Sequence, residues 1–131
     1  MGQTYVSVVF QQPLTDRQMA KLLHRRIAQI SRKSVPAEAC GFVVDGKAIS
    51  VPNLADEPTG GFLISADDYL KYRSDTIFHS HPIGDNSFSE HDRVVAANME
   101  LTSYLYIVEA DRLEVLTTSG DVEVFEKVLN K

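Results

Sequence analysis

The chain has 131 residues, 44% of them hydrophobic and 24% charged, with a formal net charge of −5. That length suits one domain with a core of its own, and no apolar run is long enough to span a bilayer. The acidic balance speaks against nucleic-acid phosphates as a target, so residues 1–131 are expected to form a single globular domain without membrane or nucleic-acid partners.

Met1 to Phe10 alternates apolar and polar side chains and lacks the basic and apolar regions of a secretory signal. The single cysteine, Cys40, cannot form an internal disulfide, which fits a reducing, cytoplasmic compartment. Thr15-Asp16-Arg17-Gln18 has the form of a capping box. Met19, Leu22, Leu23, Ile27 and Ile30 then recur at helical spacing, predicting a helix from Asp16 to Ser31. Arg25, Arg26, Arg32 and Lys33 read as its solvated face. Pro36 rules out a simple continuation. Cys40 to Val44 reads as an apolar strand, Asp45-Gly46 as a hairpin turn and Lys47 to Val51 as the returning strand.

Pro52 to Gly61 is rich in Pro, Gly and acidic residues and reads as a loop. Ser65 can cap a short helix through Tyr72, and Thr76 to His79 looks like a buried strand. Ser89 can cap a further helix whose apolar faces are Val94, Val95, Ala97 and Met99. Tyr104 to Val108, Arg112 to Thr117 and Val122 to Phe125 read as strands, with turns at Ala110-Asp111 and Ser119-Gly120. This order predicts an α/β or α+β layer, a mixed sheet flanked by helices.

The chemistry concentrates in His79-Ser80-His81-Pro82 and Ser89-Glu90-His91-Asp92. Strand alternation sends His79 and His81 to one face, where both rings can converge on a metal ion. Two histidines and one carboxylate leave a position of a tetrahedral zinc open, the mark of a catalytic site. Water there becomes acidic enough to supply hydroxide near neutral pH, provided that another group shuttles the proton. Asp92, in the first turn of the Ser89 helix, is the natural third ligand. It is equally a capping-box partner and a carboxylate favoured by the helix dipole, and these roles are compatible. The Ser89 hydroxyl can cap the helix or donate to an oxyanion beside the metal; sequence alone favours the cap. His91 should point about 100° away from Asp92. His24 is expected to be a partly exposed structural residue, and Cys40 a small buried hydrophobe. For the proton carrier, Glu57, Glu90 and Glu109 are rivals by chemistry alone.

Glu38-Ala39-Cys40-Gly41-Phe42, the two histidines and Ser89 through Asp92 together resemble the JAMM (MPN+) metalloproteases, whose pattern is a distant Glu followed by H-x-H-x7-S-x2-D. All five signature positions match, spacing included. The resemblance implies a JAMM/MPN-like, cytidine-deaminase-like mixed sheet wrapped by helices. It also implies Zn²⁺ held by His79, His81 and Asp92, with Glu38 as general acid/base and Ser89 steadying the tetrahedral intermediate. Ala39-Cys40-Gly41-Phe42, Ile64-Ser65-Ala66-Asp67-Asp68-Tyr69 and Ser89-Glu90-His91-Asp92 look most like the JAMM domain of tail-tip assembly proteins of lambda-like phages. The activity implied is that of a zinc metallopeptidase or isopeptidase. Its partner would be a peptide or protein, either a ubiquitin-like protein or a phage tail protein, in the host cytoplasm or the virion. A second reading is a non-catalytic, metal-binding scaffold subunit of a tail, although relatives that lack catalysis usually lack signature residues. The related RadC-type proteins typically carry Asn between the histidines, where this chain has Ser80.

Overall fold

A computed structural model describes residues 16–126; Met1 to Phe10 and the Thr15 cap lie outside the described residues. Strands β1 (Cys40–Val44), β2 (Lys47–Val51), β3 (Thr76–His81), β4 (Thr102–Ile107), β5 (Arg112–Leu116) and β6 (Val122–Glu126) form one sheet in the order β2-β1-β3-β4-β5-β6. Every neighbouring pair is antiparallel except β3 and β4. A parallel pair cannot be closed by a tight turn, and helix α3 (Glu90–Met99) lies in the crossover between them. Helices α1 (Asp16–Ser34) and α2 (Ala66–Tyr72) complete a mixed α/β fold, with six strands and three α-helices among the described residues. Among the described residues no helix is long and apolar enough to cross a membrane.

Alternation along the strands sorts the side chains into two layers. Phe78, Tyr106 and Leu113 share a core with Leu23, Ile27, Ala28 and Ile30 of α1. On the opposite face Cys40, Phe42 and Ile77 pack with Ile64, Phe62, Tyr69 and Tyr72. Leu105, Ile107 and Leu116 pack there against Phe88 and Ala96. The sheet is therefore covered by α1 on one side and by α2 and α3 on the other. His79 and His81 follow Ile77 in steps of two, so they belong to the α2 and α3 side. Burying a large apolar side chain contributes about 1.5–3 kcal/mol, and these layers hold β3 as a stiff platform.

The local rules act as the sequence predicts at the turns and caps. Asp45 and Gly46 both have positive φ, 51° and 78°, which a type I′ hairpin requires. Ser65 accepts from the Asp68 amide at 3.1 Å and opens α2. Gly41 has a separate reason for its identity: a Cβ there would stand 2.0 Å from the Ile49 carbonyl oxygen.

Several boundaries, and the inward face of α1, differ from expectation; β3 runs on to His81, β5 stops at Leu116 and β6 reaches Glu126. Helix α1 continues past Ser31 to Ser34, helped by Arg32 and Lys33 at its negative end, and stops before Pro36. Leu22, placed in the apolar stripe by spacing, is 53% exposed, whereas His24 is not partly exposed but buried, at 2%. The inward face is Leu23, His24, Ile27, Ala28, Ile30 and Ser31, a stripe shifted by one position that a hydrophobic pattern misreads because two of its members are polar. Strand β4 begins at Thr102 and ends at Ile107, because the Thr102 amide donates to the Asp75 carbonyl and starts the ladder beside Thr76. Val108–Ala110 then turns away as a 3-10 helix.

Candidate metal centre

Strand β3 ends beneath the first turn of α3, and the two histidines meet the helix there. His79 is fully buried, its ring stacked on Phe62 at 4.6 Å between centroids and met edge-on by Phe88 at 6.0 Å. Its Nε2 lies 3.2 Å from Asp92 Oδ2, while its Nδ1 is buried without a partner. The His81 Nδ1 is 2.9 Å from the Asn86 carbonyl oxygen. A carbonyl can only accept, so Nδ1 carries the proton and Nε2 keeps a free lone pair. That Nε2 lies 3.6 Å from the same Asp92 oxygen.

Asp92 and Ser89 form a complete capping box: the Ser89 hydroxyl accepts from the Asp92 amide and the Ser89 amide donates to Asp92 Oδ2, each at 3.0 Å. Burial alone would raise the Asp92 carboxyl. The neighbouring His79 and His81 side chains and the hydrogen bond from the Ser89 amide outweigh it and hold the group well below the usual carboxylate range. Burial lowers His79 despite its bond to Asp92. For His81 burial also pulls down, but Asp92 and the Asn86 carbonyl prevail and raise it. Ser89 uses an oxygen lone pair for the cap, which leaves its O–H proton free to donate, so the two roles do not compete.

Glu38 sits in the extended lead-in to β1, two residues ahead of the strand. Its carboxylate falls within 4.8 Å of the ring nitrogens of His79 and His81. It is 7% exposed, whereas the rivals Glu57, Glu90 and Glu109 are all exposed. Burial pushes its carboxyl up to about 7, against the pull of His81 and with the push of Asp92. Its backbone is fixed on three sides. The Glu38 amide donates to the Pro58 carbonyl at 2.7 Å, Asn53 Nδ2 donates to the Glu38 carbonyl at 3.0 Å, and the next amide, Ala39, donates to Ser80 Oγ at 2.8 Å.

Several residues that position the site carry no periodic or motif signal. Asn53 also donates to the Gly61 carbonyl and accepts from the Ala55 and Leu63 amides, so one side chain organises the loop from 52 to 63 around Glu38. Its place among turn-forming residues is the only hint the sequence offers. Ser80, fully buried between the ligand candidates, ties them to the Glu38 segment. Glu114 of β5 is buried, accepts from Arg112 Nε at 2.9 Å and bonds Ser87, while Arg112 donates to the Asp85 carbonyl at 3.1 Å. Those contacts pin the loop between His81 and Ser89 to the sheet. His91 is exposed on the cavity wall. Cys40 is buried with its thiol pushed up to about 12, chiefly by burial, so it stays neutral.

The side chains gathered here could hold a metal ion: Glu38, His79 and His81 each offer a ligand atom within 4.8 Å of the others, and Asp92 stands beside both histidines. Ligands about 2.0–2.1 Å from a tetrahedral zinc stand about 3.3 Å apart, and the separations from Asp92 Oδ2 to the two Nε2 atoms, 3.2 and 3.6 Å, bracket that edge. Two cavities, of about 490 and 570 Å³, flank the cluster and share Glu38, His81 and Ser89 in their walls.

No protein-family model matches the chain, and no curated protein matches it. Among solved structures it is similar to protein DSY2949 from Desulfitobacterium hafniense, with a TM-score of 0.54 and 21% identity over 86% of this chain and 88% of that one. At that identity the likeness concerns the fold alone.

Proposed function

We propose that this chain is a zinc-dependent hydrolase of amide bonds, a JAMM-type metallopeptidase or isopeptidase with a JAMM/MPN-like fold. The observation that carries the proposal is the convergence of His79 Nε2, His81 Nε2 and Asp92 Oδ2 beside the buried carboxylate of Glu38. Zn²⁺ held by these three would acidify a water and polarise the scissile carbonyl. A nearby cation also favours ionised Glu38, leaving it as the base that takes a proton from water and returns it to the leaving amine. Ser89 donates its O–H to the developing oxyanion. Phe62 and Phe88 keep water from the flanks of His79, and Asn53 and Ser80 hold Glu38 in place. The order of elements and the matched motif support the family assignment. The partner on this reading is a protein, through a tail protein processed during phage assembly or a ubiquitin-like protein removed from a lysine, in a host cytoplasm or virion.

Elemental analysis of purified variants, with hydrolysis of tail-protein and ubiquitin-like conjugates, tests the proposal. Stoichiometric zinc should disappear in His79→Ala, His81→Ala and Asp92→Ala, while Glu38→Gln keeps the metal and loses turnover. Full zinc in Asp92→Ala together with loss in His91→Ala would overturn the ligand assignment. Zinc without any turnover would favour a non-catalytic metal-binding scaffold.

A further inference from the structure

We infer that the cleft beside the metal centre selects substrates with a bulky apolar side chain, of leucine or phenylalanine size, on a residue adjoining the scissile amide. This rests on the hydrolase reading and names the substrate class of the same site.

The 490 Å³ cavity begins at Glu38, His79 and Asp92 and continues between α2 and α3. Its walls away from the metal ligands are mostly apolar, built from Phe62, Leu63, Tyr69, Ile77, Val95 and Met99, with Ser103 and the exposed His91 as the polar side chains among them. That volume is in the range of small-ligand pockets and holds one large side chain with the backbone that carries it. Leu63 and Met99, from different elements, are 56% and 47% exposed, so both offer apolar surface to a ligand within the cavity that contains the reacting groups.

Charge sharpens the choice. Among the described residues no lysine or arginine lines this cavity, and its carboxylates, Glu38 and Asp92, both stand at the metal end. A charged side chain entering the compartment away from the metal end would lose water beside mostly apolar side chains, with no lysine or arginine among the described lining residues to pair an acid and the carboxylates left at the metal end. A glycine or alanine would leave the space to solvent. The second cavity shares Glu38, Gly60, His81 and Ser89 with the first and has polar groups from Thr59, Asn86 and Ser87 in its wall. A chain lying across the metal centre thus meets a mostly apolar compartment on one side and on the other a mixed one, where Pro82, Ile83 and Phe88 stand beside Thr59, Asn86 and Ser87, so the first offers the larger apolar wall to a hydrophobic residue.

Acetylated Gly-Gly-Xaa-Gly-Gly amides, with Xaa Phe, Leu, Ala or Asp, test this by binding followed at the methyl resonances of Val95 and Met99, in metal-free and zinc-loaded protein. The Phe and Leu peptides should shift both methyls and bind at least about tenfold more tightly than the Ala peptide. Met99→Lys, at an exposed position, should erase that preference and move it toward the Asp peptide. Equal affinity for Phe and Ala, shifts confined to other residues, or no shift with any peptide would each overturn the inference. Where the peptides are cleaved, kcat/KM should rank in the same order. The ranking in binding without cleavage would sink the hydrolase reading alone, and cleavage without ranking would sink this inference alone.

Discussion

His24 should make the fold acid-sensitive by an amount that can be worked out. The imidazole is 2% exposed, its Nε2 has no hydrogen-bond partner among the described residues, and the edge of its ring system meets Tyr106 at 5.7 Å. Burial, with Asp111 opposing and Arg32 reinforcing, lowers its pKa from 6.5 to about 4. The unfolded chain takes up this proton near pH 6.5, whereas the folded chain refuses it until about pH 4. Stability is therefore intact above pH 6.5 and falls as the pH drops between those values. The shift implies a loss of about 2 kcal/mol by pH 5 and about 3 kcal/mol by pH 4, relative to pH 7.5. In His24→Leu that loss vanishes, and the orphaned nitrogen goes with it. At pH 7.5 the variant should lie within about 1.5 kcal/mol of the wild type, because losing an unsatisfied polar atom offsets the lost ring contact. Urea denaturation of both proteins from pH 7.5 to 4.5, with chelator present, gives the difference curve, in which titrations at the metal centre cancel. Parallel curves would refute the reasoning and show that His24 is solvated or paired in solution.

Three further perturbations probe the supports of the site. Ser89→Ala should cost about 1 kcal/mol in chemical denaturation and Ser89→Gly only a few tenths, since glycine is tolerated at an N-cap; both should lose about 10²–10³ in kcat, and Ser89→Thr should recover stability and turnover together. Unchanged kcat in Ser89→Gly would leave the hydroxyl with the cap alone. Asn53→Ala should keep zinc stoichiometry, lose about 1–3 kcal/mol, and speed amide exchange at Ala55 and Leu63, whose N–H groups it now binds; unaltered exchange there would contradict its role as the organiser of the loop. Gly41→Ala drives a Cβ to 2.0 Å from the Ile49 carbonyl oxygen and 2.6 Å from the Phe78 ring, so it should cost about 3 kcal/mol or more by urea denaturation, and near-wild-type stability would show that β1 and β2 can separate freely.

What could be read from the chain was whatever obeys a local rule. The hairpin at Asp45-Gly46, the caps at Ser65 and Ser89, and the alternation that brings His79 and His81 to one face each depend on a handful of neighbouring residues. His24 escaped because a polar residue on an apolar stripe breaks the pattern without leaving the core. Ser80 escaped for a different reason: its partner, the Ala39 amide, is 41 residues away, and no periodicity reports a side chain that substitutes for a ladder bond. Glu38 stands between these cases. Local chemistry could not choose it over Glu57, Glu90 or Glu109, only the family resemblance pointed to it, and burial is the physical property that separates it from the others.

The topology explains how the motif residues come to lie side by side. Strand β3 has an antiparallel neighbour on one side and a parallel one on the other. The antiparallel neighbour, β1, enters the sheet beside the end of β3, which carries the Glu38 segment to the histidines through the contacts of Ala39 with Ser80. The parallel neighbour demands a crossover, and the N-terminus of its helix comes down over the same end of β3. A carboxylate at the third position of that helix is favoured there by the cap and the dipole before any metal is considered. Asp92 is consequently held beside His79 by helix chemistry. The run from His81 to Ser89 need only be long enough to turn from strand to helix, and Asn86, Ser87 and Arg112 fix that turn against His81 and β5. Four side chains from three separate stretches meet because one strand sits where the sheet changes direction.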